Sequence, residues 1–231
     1  MLVRAAARAK ELSARRAELS VDQKSAGQFV SDADTEIEHR LREEISRAFG
    51  DVPIIGEETG GGLSADATGW AIDPIDGTSN FLLGLPIWGI SVGYLEQGRS
   101  RLGAVALPDL NLLISARDGH GLRLNRAPAG PGIHAPSIKV MALGENEFES
   151  GTETDRRAEA LRQAGFAVVR YRCAVFALSQ AALGRLSGYV EVGCGLWDVA
   201  AAIVICREAG LTVQSSGLPE GVWQIDARWP A

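Results

Sequence analysis

The sequence is poor in the side chains that most often carry zinc chemistry or covalent catalysis. Only three cysteines and three histidines occur among its 231 residues. No two cysteines form a CxxC pair, and the histidines are too scattered to have ligand-like spacing. A structural zinc site and a histidine-based catalytic triad are therefore not expected. The odd, scattered thiols predict a reduced protein in the cytoplasm.

Long apolar runs and basic stretches are also missing. No run approaches the roughly 20 apolar residues of a membrane-spanning helix, and the first residues contain no apolar signal core. The 23 basic residues are outnumbered by 29 acidic ones, which gives a net charge of −6. No basic stripe alternates with aromatic residues, so neither a membrane nor a nucleic acid is predicted as the main partner.

The hydrophobic periodicity predicts a mixed α/β chain. Apolar positions favour helices at about 2–19 and from Ser31 or Asp32 to Gly50, then strands in "VPIIGEE" and "WAID". Between residues 87 and 124, apolar runs separated by turn signals predict a meander of about four antiparallel strands. Alternating strands (138–143, 167–171, 188–192) and helices (154–164, 175–186, 198–209) follow. The Pro- and Gly-rich "APAGPGIHAPS" is interpreted as the seam between an N-terminal half, 1–126, and a C-terminal α/β half, 127–231.

The segment "WAIDPIDGTSNF" is the most informative part of the chain. Asp73 ends an apolar strand, and Pro74 cannot donate a hydrogen bond to a sheet, so the strand must turn there. Asp76 then lies near Asp73, and Gly77 opens a turn whose free N–H groups suit an anion, above all phosphate. Carboxylates beside an anion site make sense only with a cation between them, and a hard divalent ion such as Mg²⁺ fits.

Further acids end or begin other predicted elements. Glu57 and Glu58 close a strand, Asp198 opens a helix, and Asp34 lies in the first turn of another helix. Each alone is explained as a helix cap or a solvated loop residue. Together, several apolar elements that each deliver an acid at the same kind of position predict one shared metal site.

Four segments, "FVSDADTEIEHRLREEI", "IIGEETG", "WAIDPIDGTSNF" and "LWDVAAAIVICREAG", resemble the inositol monophosphatase family in order and spacing. That family lies within the Mg²⁺-dependent, lithium-sensitive phosphatases, which include fructose-1,6-bisphosphatase. The resemblance implies a layered α-β-α-β-α sandwich, a homodimer and two to three Mg²⁺ ions in each active site. The roles that it implies are: metal ligands Glu57, Asp73, Ile75, Asp76 and Asp198; catalytic residues Glu57, Thr78 and Asp34; phosphate-binding residues Gly77 and Thr78; substrate-binding residues Asp76, Glu191, Ala174 and Lys24.

The implied activity is hydrolysis of inositol monophosphate or a related small phosphate ester by an activated water. Histidinol phosphate, a sugar phosphate and adenosine 3′,5′-bisphosphate remain alternative substrates, and a non-catalytic homologue that binds metal or phosphorylated ligand remains a second class. Gln28, Ser31 and the "RCA" run at 172–174 depart from the family pattern and leave the substrate open. The chain also ends at "WQIDARWPA", before the final strands and helix that the resemblance implies.

Overall fold

The chain forms six α-helices and fourteen β-strands in the residues that the computed structural model describes, which are 1–25, 28–63, 67–130 and 132–230. The helices are α1 (Leu2–Ala14), α2 (Asp32–Phe49), α3 (Thr78–Leu83), α4 (Gly151–Gln163), α5 (Ala174–Ala182) and α6 (Leu196–Ala209). No helix in these ranges has the length and apolar character that crossing a bilayer requires.

The strands are β1 (Val21–Ser25), β2 (Gln28–Ser31), β3 (Ile54–Gly56), β4 (Gly69–Asp76), β5 (Gly89–Glu96), β6 (Arg99–Leu107), β7 (Leu112–Arg117), β8 (Leu122–Leu124), β9 (Ala127–Pro128), β10 (Val140–Leu143), β11 (Ala167–Val169), β12 (Gly188–Cys194), β13 (Thr212–Gly217) and β14 (Trp223–Arg228). Strands β1 and β2 form a hairpin, and β3 to β9 form a seven-stranded sheet in chain order. The remaining five strands form a second sheet in the order β11-β10-β12-β14-β13.

The helices divide into three layers around the two sheets. Helices α1 and α2 pack on the outer face of the seven-stranded sheet, and α4 packs on the outer face of the second sheet. Helices α5 and α6 contact strands of both sheets and fill the space between them. Helix α6 is buried on nearly every side from Val199 to Cys206, as expected for a helix enclosed by two sheets. The result is an α-β-α-β-α sandwich, as the family resemblance implies.

The amphipathic pattern explains the outer helix layer. In α2, the side chains of Ile37, Leu41 and Ile45 recur at every fourth position and are buried. In α1, the buried positions are Leu2, Ala5, Ala9 and Leu12, again one stripe. Small residues on that stripe let α1 lie close to its neighbours.

Several sequence-based boundaries are corrected by the structure. The first helix ends at Ala14 instead of continuing to residue 19, and a 3-10 turn at Arg16–Glu18 follows it. The hairpin of β1 and β2 was not predicted, since "VDQKS" is polar after Val21 and gives no periodic signal. Strands β13 and β14 were also not predicted; they pair with each other and join the second sheet through β12.

Candidate active site

A bulge in β4 brings the two aspartates of the DPIDGT segment to one cavity. Asp73 pairs with Ser91 of β5 and Asp76 pairs with Gly89. Between these two pairs, β4 advances by three positions and β5 by only two, so β4 contains one extra residue. The irregularity surrounds Pro74, which has no N–H for the sheet. Side chains three apart on a regular strand would face opposite sides. Because of the extra residue, Asp73 and Asp76 both line the same cavity.

The cavity has a volume of about 280 Å³. It is bounded by the ends of several strands and by the first residues of α3, α5 and α6. Its acidic lining consists of Glu57, Asp73, Asp76, Glu145, Glu147, Glu191 and Asp198, and Lys24 and Arg172 also line it. Ile75, Gly77, Thr78 and Ala174 contribute as well. Of the acids singled out in the sequence, Asp34 and Glu58 do not reach the cavity wall.

The turn after Asp76 requires glycine. Gly77 has a φ of +85°, a left-handed conformation, and a Cβ there would lie 2.9 Å from the carbonyl oxygen of Ile87. A larger residue would therefore be both strained and crowded. Helix α3 begins at the next residue, Thr78. The first N–H groups of a helix lack intrahelical acceptors, which leaves amide donors at this end of the cavity.

Asp34 lies behind Thr78 and holds its hydroxyl. The Oδ2 atom of Asp34 accepts hydrogen bonds from the N–H (2.8 Å) and hydroxyl (2.6 Å) of Ser31, which closes a capping box at the start of α2. Its Oδ1 atom accepts from the Thr78 hydroxyl at 3.1 Å, which also lies 3.1 Å from the carbonyl oxygen of Ile75. Burial raises the pKa of Asp34, and the bonds from Ser31 and Thr78 oppose that rise.

Asp73 is buried and receives no hydrogen bond from the described residues. Its side chain is 0% exposed, and neither carboxylate oxygen accepts a hydrogen bond from the described residues. Burial raises the pKa of Asp73 well above its ordinary value, and the nearby carboxylates of Glu57, Asp76 and Asp198 raise it further. A buried carboxylate without donors is costly unless a cation or proton neutralises it.

Asp76 and Asp198 are each tied to the start of a helix. The Oδ2 atom of Asp76 accepts from the backbone N–H of Val175 at 2.5 Å, at the start of α5, and lies 3.3 Å from the Cys173 thiol. The Oδ2 atom of Asp198 accepts from the N–H of Gly195 at 2.7 Å. Burial raises the pKa of Asp76 to about 7 and that of Asp198 well above its ordinary value.

Glu57 lies at the edge of the cavity and is paired with a lysine. The Nζ atom of Lys24 is 3.2 Å from Glu57 Oε1 and 2.6 Å from Glu58 Oε2. Burial raises the pKa of Glu57 to about 7, with Lys24 lowering it and Glu58 raising it. Glu58 is therefore part of the same charge cluster, although it does not line the cavity.

Glu191 lies across the cavity as a pre-oriented hydrogen-bond acceptor. Its Oε2 atom accepts from the Tyr189 hydroxyl at 2.5 Å, and its Oε1 atom accepts from the Asn146 amide at 3.0 Å. Burial raises the pKa of Glu191, and the bonds from Tyr189 and Asn146 oppose this. Both partners were missed in the sequence, because neither lies in a recognisable motif.

The donor set fits a hard divalent cation. Asp73 supplies two buried oxygens without partners, and carboxylates that raise one another's pKa flank it. In the described parts of the chain, no three acidic, cysteine or histidine side chains already surround one point as a finished ion cage. The fit therefore rests on the unpartnered oxygens of Asp73 and on the accumulation of negative charge, and not on a preformed coordination geometry.

One buried acid near the cavity was also missed. Glu38 in α2 is fully buried and pairs with Arg42, with 2.8 Å between Glu38 Oε1 and Arg42 Nε. Both residues contact the loop that carries Glu57. The sequence signal is weak, since an acid and a base four residues apart on a helix are usually a solvated pair.

Comparison with known proteins identifies the family. The model of the inositol monophosphatase family matches residues 1–221. An uncharacterised protein of Sinorhizobium fredii is 38% identical over 193 residues, which cover 82% of this chain and 68% of that protein. An inositol-1-monophosphatase of Synechocystis is 34% identical over 196 residues, covering 80% of this chain and 66% of that protein.

Solved structures agree with the assignment. An inositol monophosphatase from Anabaena superposes with a TM-score of 0.80 at 26% identity, and the match covers 98% of this chain and 86% of that chain. This chain therefore belongs to the inositol monophosphatase family and is a phosphoric monoester hydrolase.

Proposed function

We propose that this phosphatase hydrolyses inositol monophosphate or a related small phosphate ester with the help of Mg²⁺. The observation that carries the proposal is Asp73, a fully buried carboxylate that lies among Glu57, Asp76 and Asp198 and to which none of the described residues donates a hydrogen bond. A divalent cation is the ligand that such a group lacks. The adjoining Gly77-Thr78 turn offers amide donors for the phosphate of the substrate.

The residues that would hold two to three Mg²⁺ ions are Glu57, Asp73, the carbonyl oxygen of Ile75, Asp76 and Asp198. When bound, Mg²⁺ neutralises charge on phosphate oxygens and lowers the pKa of a coordinated water. Asp76 and Asp198 each use one oxygen for a helix N–H and keep the other for a ligand. These bonds fix the carboxylates before any ligand arrives.

Thr78, Asp34 and Glu57 are the groups suited to move the proton of the attacking water. The Thr78 hydroxyl donates to Asp34 Oδ1, so the lone pairs of the Thr78 oxygen can accept a hydrogen bond from water. Asp34 is itself held by Ser31 and cannot turn away. Burial raises the pKa of Glu57 to about 7 without metal, and a bound cation would keep it as the carboxylate that can accept a hydrogen bond from the attacking water.

The far side of the cavity would bind the alcohol part of the substrate. Glu191 is an acceptor suited to a substrate hydroxyl, and Tyr189 and Asn146 hold it in place. Ala174 and Lys24 also line the cavity, at its wall and near Glu57. Arg172 and Cys173 border the same space, and their size and charge would influence which alcohol fits. We infer a polyol or sugar phosphate as the substrate class, because carboxylate acceptors recognise hydroxyl donors.

A phosphate-release assay across inositol monophosphate, histidinol phosphate, a sugar phosphate and adenosine 3′,5′-bisphosphate tests the proposal. We expect turnover that needs Mg²⁺, stops with EDTA and falls at least about 100-fold in Glu57→Gln. Glu43→Gln, an exposed acid on α2, is the matched control and should retain activity. Turnover that survives both EDTA and Glu57→Gln would refute the mechanism, and no turnover on any ester would favour a non-catalytic homologue.

We also propose a homodimer in the cytoplasm. The family resemblance supports the dimer, and the three cysteines, all buried and free of disulfides, are consistent with a reducing compartment. Light scattering of the purified chain would test the dimer, and a mass of about 25 kDa would refute it.

A further inference from the structure

The carboxylate of Glu38 accepts hydrogen bonds from the loop that carries Glu57. It is 0% exposed on α2. Its Oε2 atom accepts from the backbone N–H of Glu58 at 2.8 Å, and its Oε1 atom accepts from the N–H of Thr59 at 3.1 Å. The hydroxyl of Thr59 also donates to Oε1. Glu38 thus binds the two residues that immediately follow Glu57.

Arg42 binds the carbonyls on the other side of the same loop. Its Nη1 atom donates to the carbonyl oxygen of Ile54 at 3.2 Å, and its Nη2 atom donates to that of Gly60 at 2.7 Å. The Gly60 oxygen also accepts from the N–H of Gly56 at 2.9 Å, which closes the loop on itself. A Cβ on Gly56 would lie 2.5 Å from Glu38 Oε1, so the loop packs directly on the ion pair.

The same face of α2 also carries Asp34, one turn before Glu38. Residues four apart share a helix face, and Asp34 holds the Thr78 hydroxyl while Glu38 holds the backbone after Glu57. One helix therefore sets the positions of both groups that we assign to water activation. A shift of α2 would move both together.

We propose that Glu38 is a positioning residue that, with Arg42, orients Glu57 for metal binding. It touches neither the cavity nor Glu57 itself and acts through the backbone of 56–60. The inference rests on the proposed function, since Glu57 must be a metal ligand for its orientation to matter. Partners that orient a metal ligand are typically worth about 10- to 100-fold in metal affinity.

The test compares Mg²⁺ binding by folded variants, measured by isothermal titration calorimetry at a temperature where each is folded. Glu38→Gln keeps the shape but places an NH₂ group where backbone N–H donors need an acceptor. Thr59→Val removes a single contact with Glu38 from an exposed loop position. Glu36→Gln is the matched control, because Glu36 also pairs with arginines, Arg8 of α1 and Arg40, but makes no hydrogen bond to the described loop at 56–60.

We expect the Mg²⁺ dissociation constant to rise about 10- to 100-fold in Glu38→Gln. It should rise about two- to fivefold in Thr59→Val, which removes one of the three hydrogen bonds that Glu38 accepts from the loop. Glu36→Gln should match the wild type. A purely structural role for Glu38 would lower the urea midpoint without metal and leave Mg²⁺ affinity unchanged, and that result overturns the proposal. If Glu38→Gln does not fold, unchanged affinity in Thr59→Val overturns it. A wild type that binds no Mg²⁺ refutes the proposed function itself, which separates the two failures.

Discussion

Asp73→Asn is the substitution that most directly tests the electrostatic cost of a buried carboxylate in the metal-free protein. Asp73 is fully buried, accepts no hydrogen bond from the described residues and has its pKa raised by burial and by three neighbouring carboxylates. Asparagine has nearly the same shape and cannot ionise. We therefore expect the variant to be more stable than the wild type in EDTA at pH 8, and to lose most of the stabilisation by Mg²⁺.

The sign and size follow from proton linkage. A carboxyl with a higher pKa in the folded protein binds more protons when folded, so the free energy of unfolding falls as pH rises from the unfolded pKa to the folded one. Unfolded carboxyls titrate near pH 4, and the folded pKa of both Glu57 and Asp76 is about 7. Removing one such carboxyl makes the slope of the free energy of unfolding against pH less negative by at most about 1.4 kcal/mol per pH unit. Between pH 5 and 7 the wild type should therefore lose at most about 3 kcal/mol more stability than the variant.

Urea denaturation in EDTA at pH 5, 6, 7 and 8 measures this slope. The wild type should lose stability over the range, Asp73→Asn should lose less, and the exposed control Asp155→Asn should follow the wild type. At saturating Mg²⁺ the wild type should be more stable than Asp73→Asn, because ligand binding stabilises only the chain that binds the ligand. A metal-free wild type whose stability is constant or rises from pH 5 to 7 would refute the reasoning, as would equal slopes in the wild type and Asp73→Asn.

Three further predictions concern the rest of the site. Gly77→Ala should lower the free energy of unfolding by about 1–3 kcal/mol in urea, since it forces a side chain into a left-handed, crowded turn; an unchanged midpoint would contradict the turn geometry. Thr78→Val should lower kcat by about 100-fold while Thr78→Ser retains most activity, because the hydroxyl is the group that bonds Asp34. Equal kcat values in the two variants would exclude a catalytic role for the hydroxyl. The three cysteine thiols are buried, so Ellman's reagent should titrate them fully in denaturant and very slowly in the native protein; rapid native reaction would contradict their burial.

Much of the secondary structure was predictable from local signals, whereas the layered sandwich was expected from the family resemblance. The alternation of strands and helices after residue 138 and the meander before residue 124 both follow from apolar periodicity. The site residues around Asp73 were predictable because the motif combines a strand end, a proline and a glycine turn. The structure places Glu57, Asp73, Asp76 and Asp198 around one cavity, and their roles as metal ligands stay a prediction.

Other features depend on partners that are distant in sequence. The bulge that aligns Asp73 with Asp76 appears only when β4 is paired with β5. Glu38 and Arg42 are read from the sequence as a solvated helix pair, and burial by the loop at 56–60 makes them a scaffold. Strand β13 alternates weakly and is exposed at most positions, so no periodic pattern marks it as a strand. In each case a tertiary contact decides the outcome.

The acids of the site differ in one respect that points to where a cation is needed. Asp34 accepts from Ser31, Asp76 from Val175, Asp198 from Gly195, Glu57 from Lys24 and Glu191 from Tyr189. Three of these donors are backbone N–H groups at the starts of α2, α5 and α6, where the helix dipole also favours negative charge. Asp73 differs from these five acids, because none of the described residues donates a hydrogen bond to it. The described residues therefore supply a donor to these five acids and none to Asp73, whose buried charge a bound cation or a proton would neutralise.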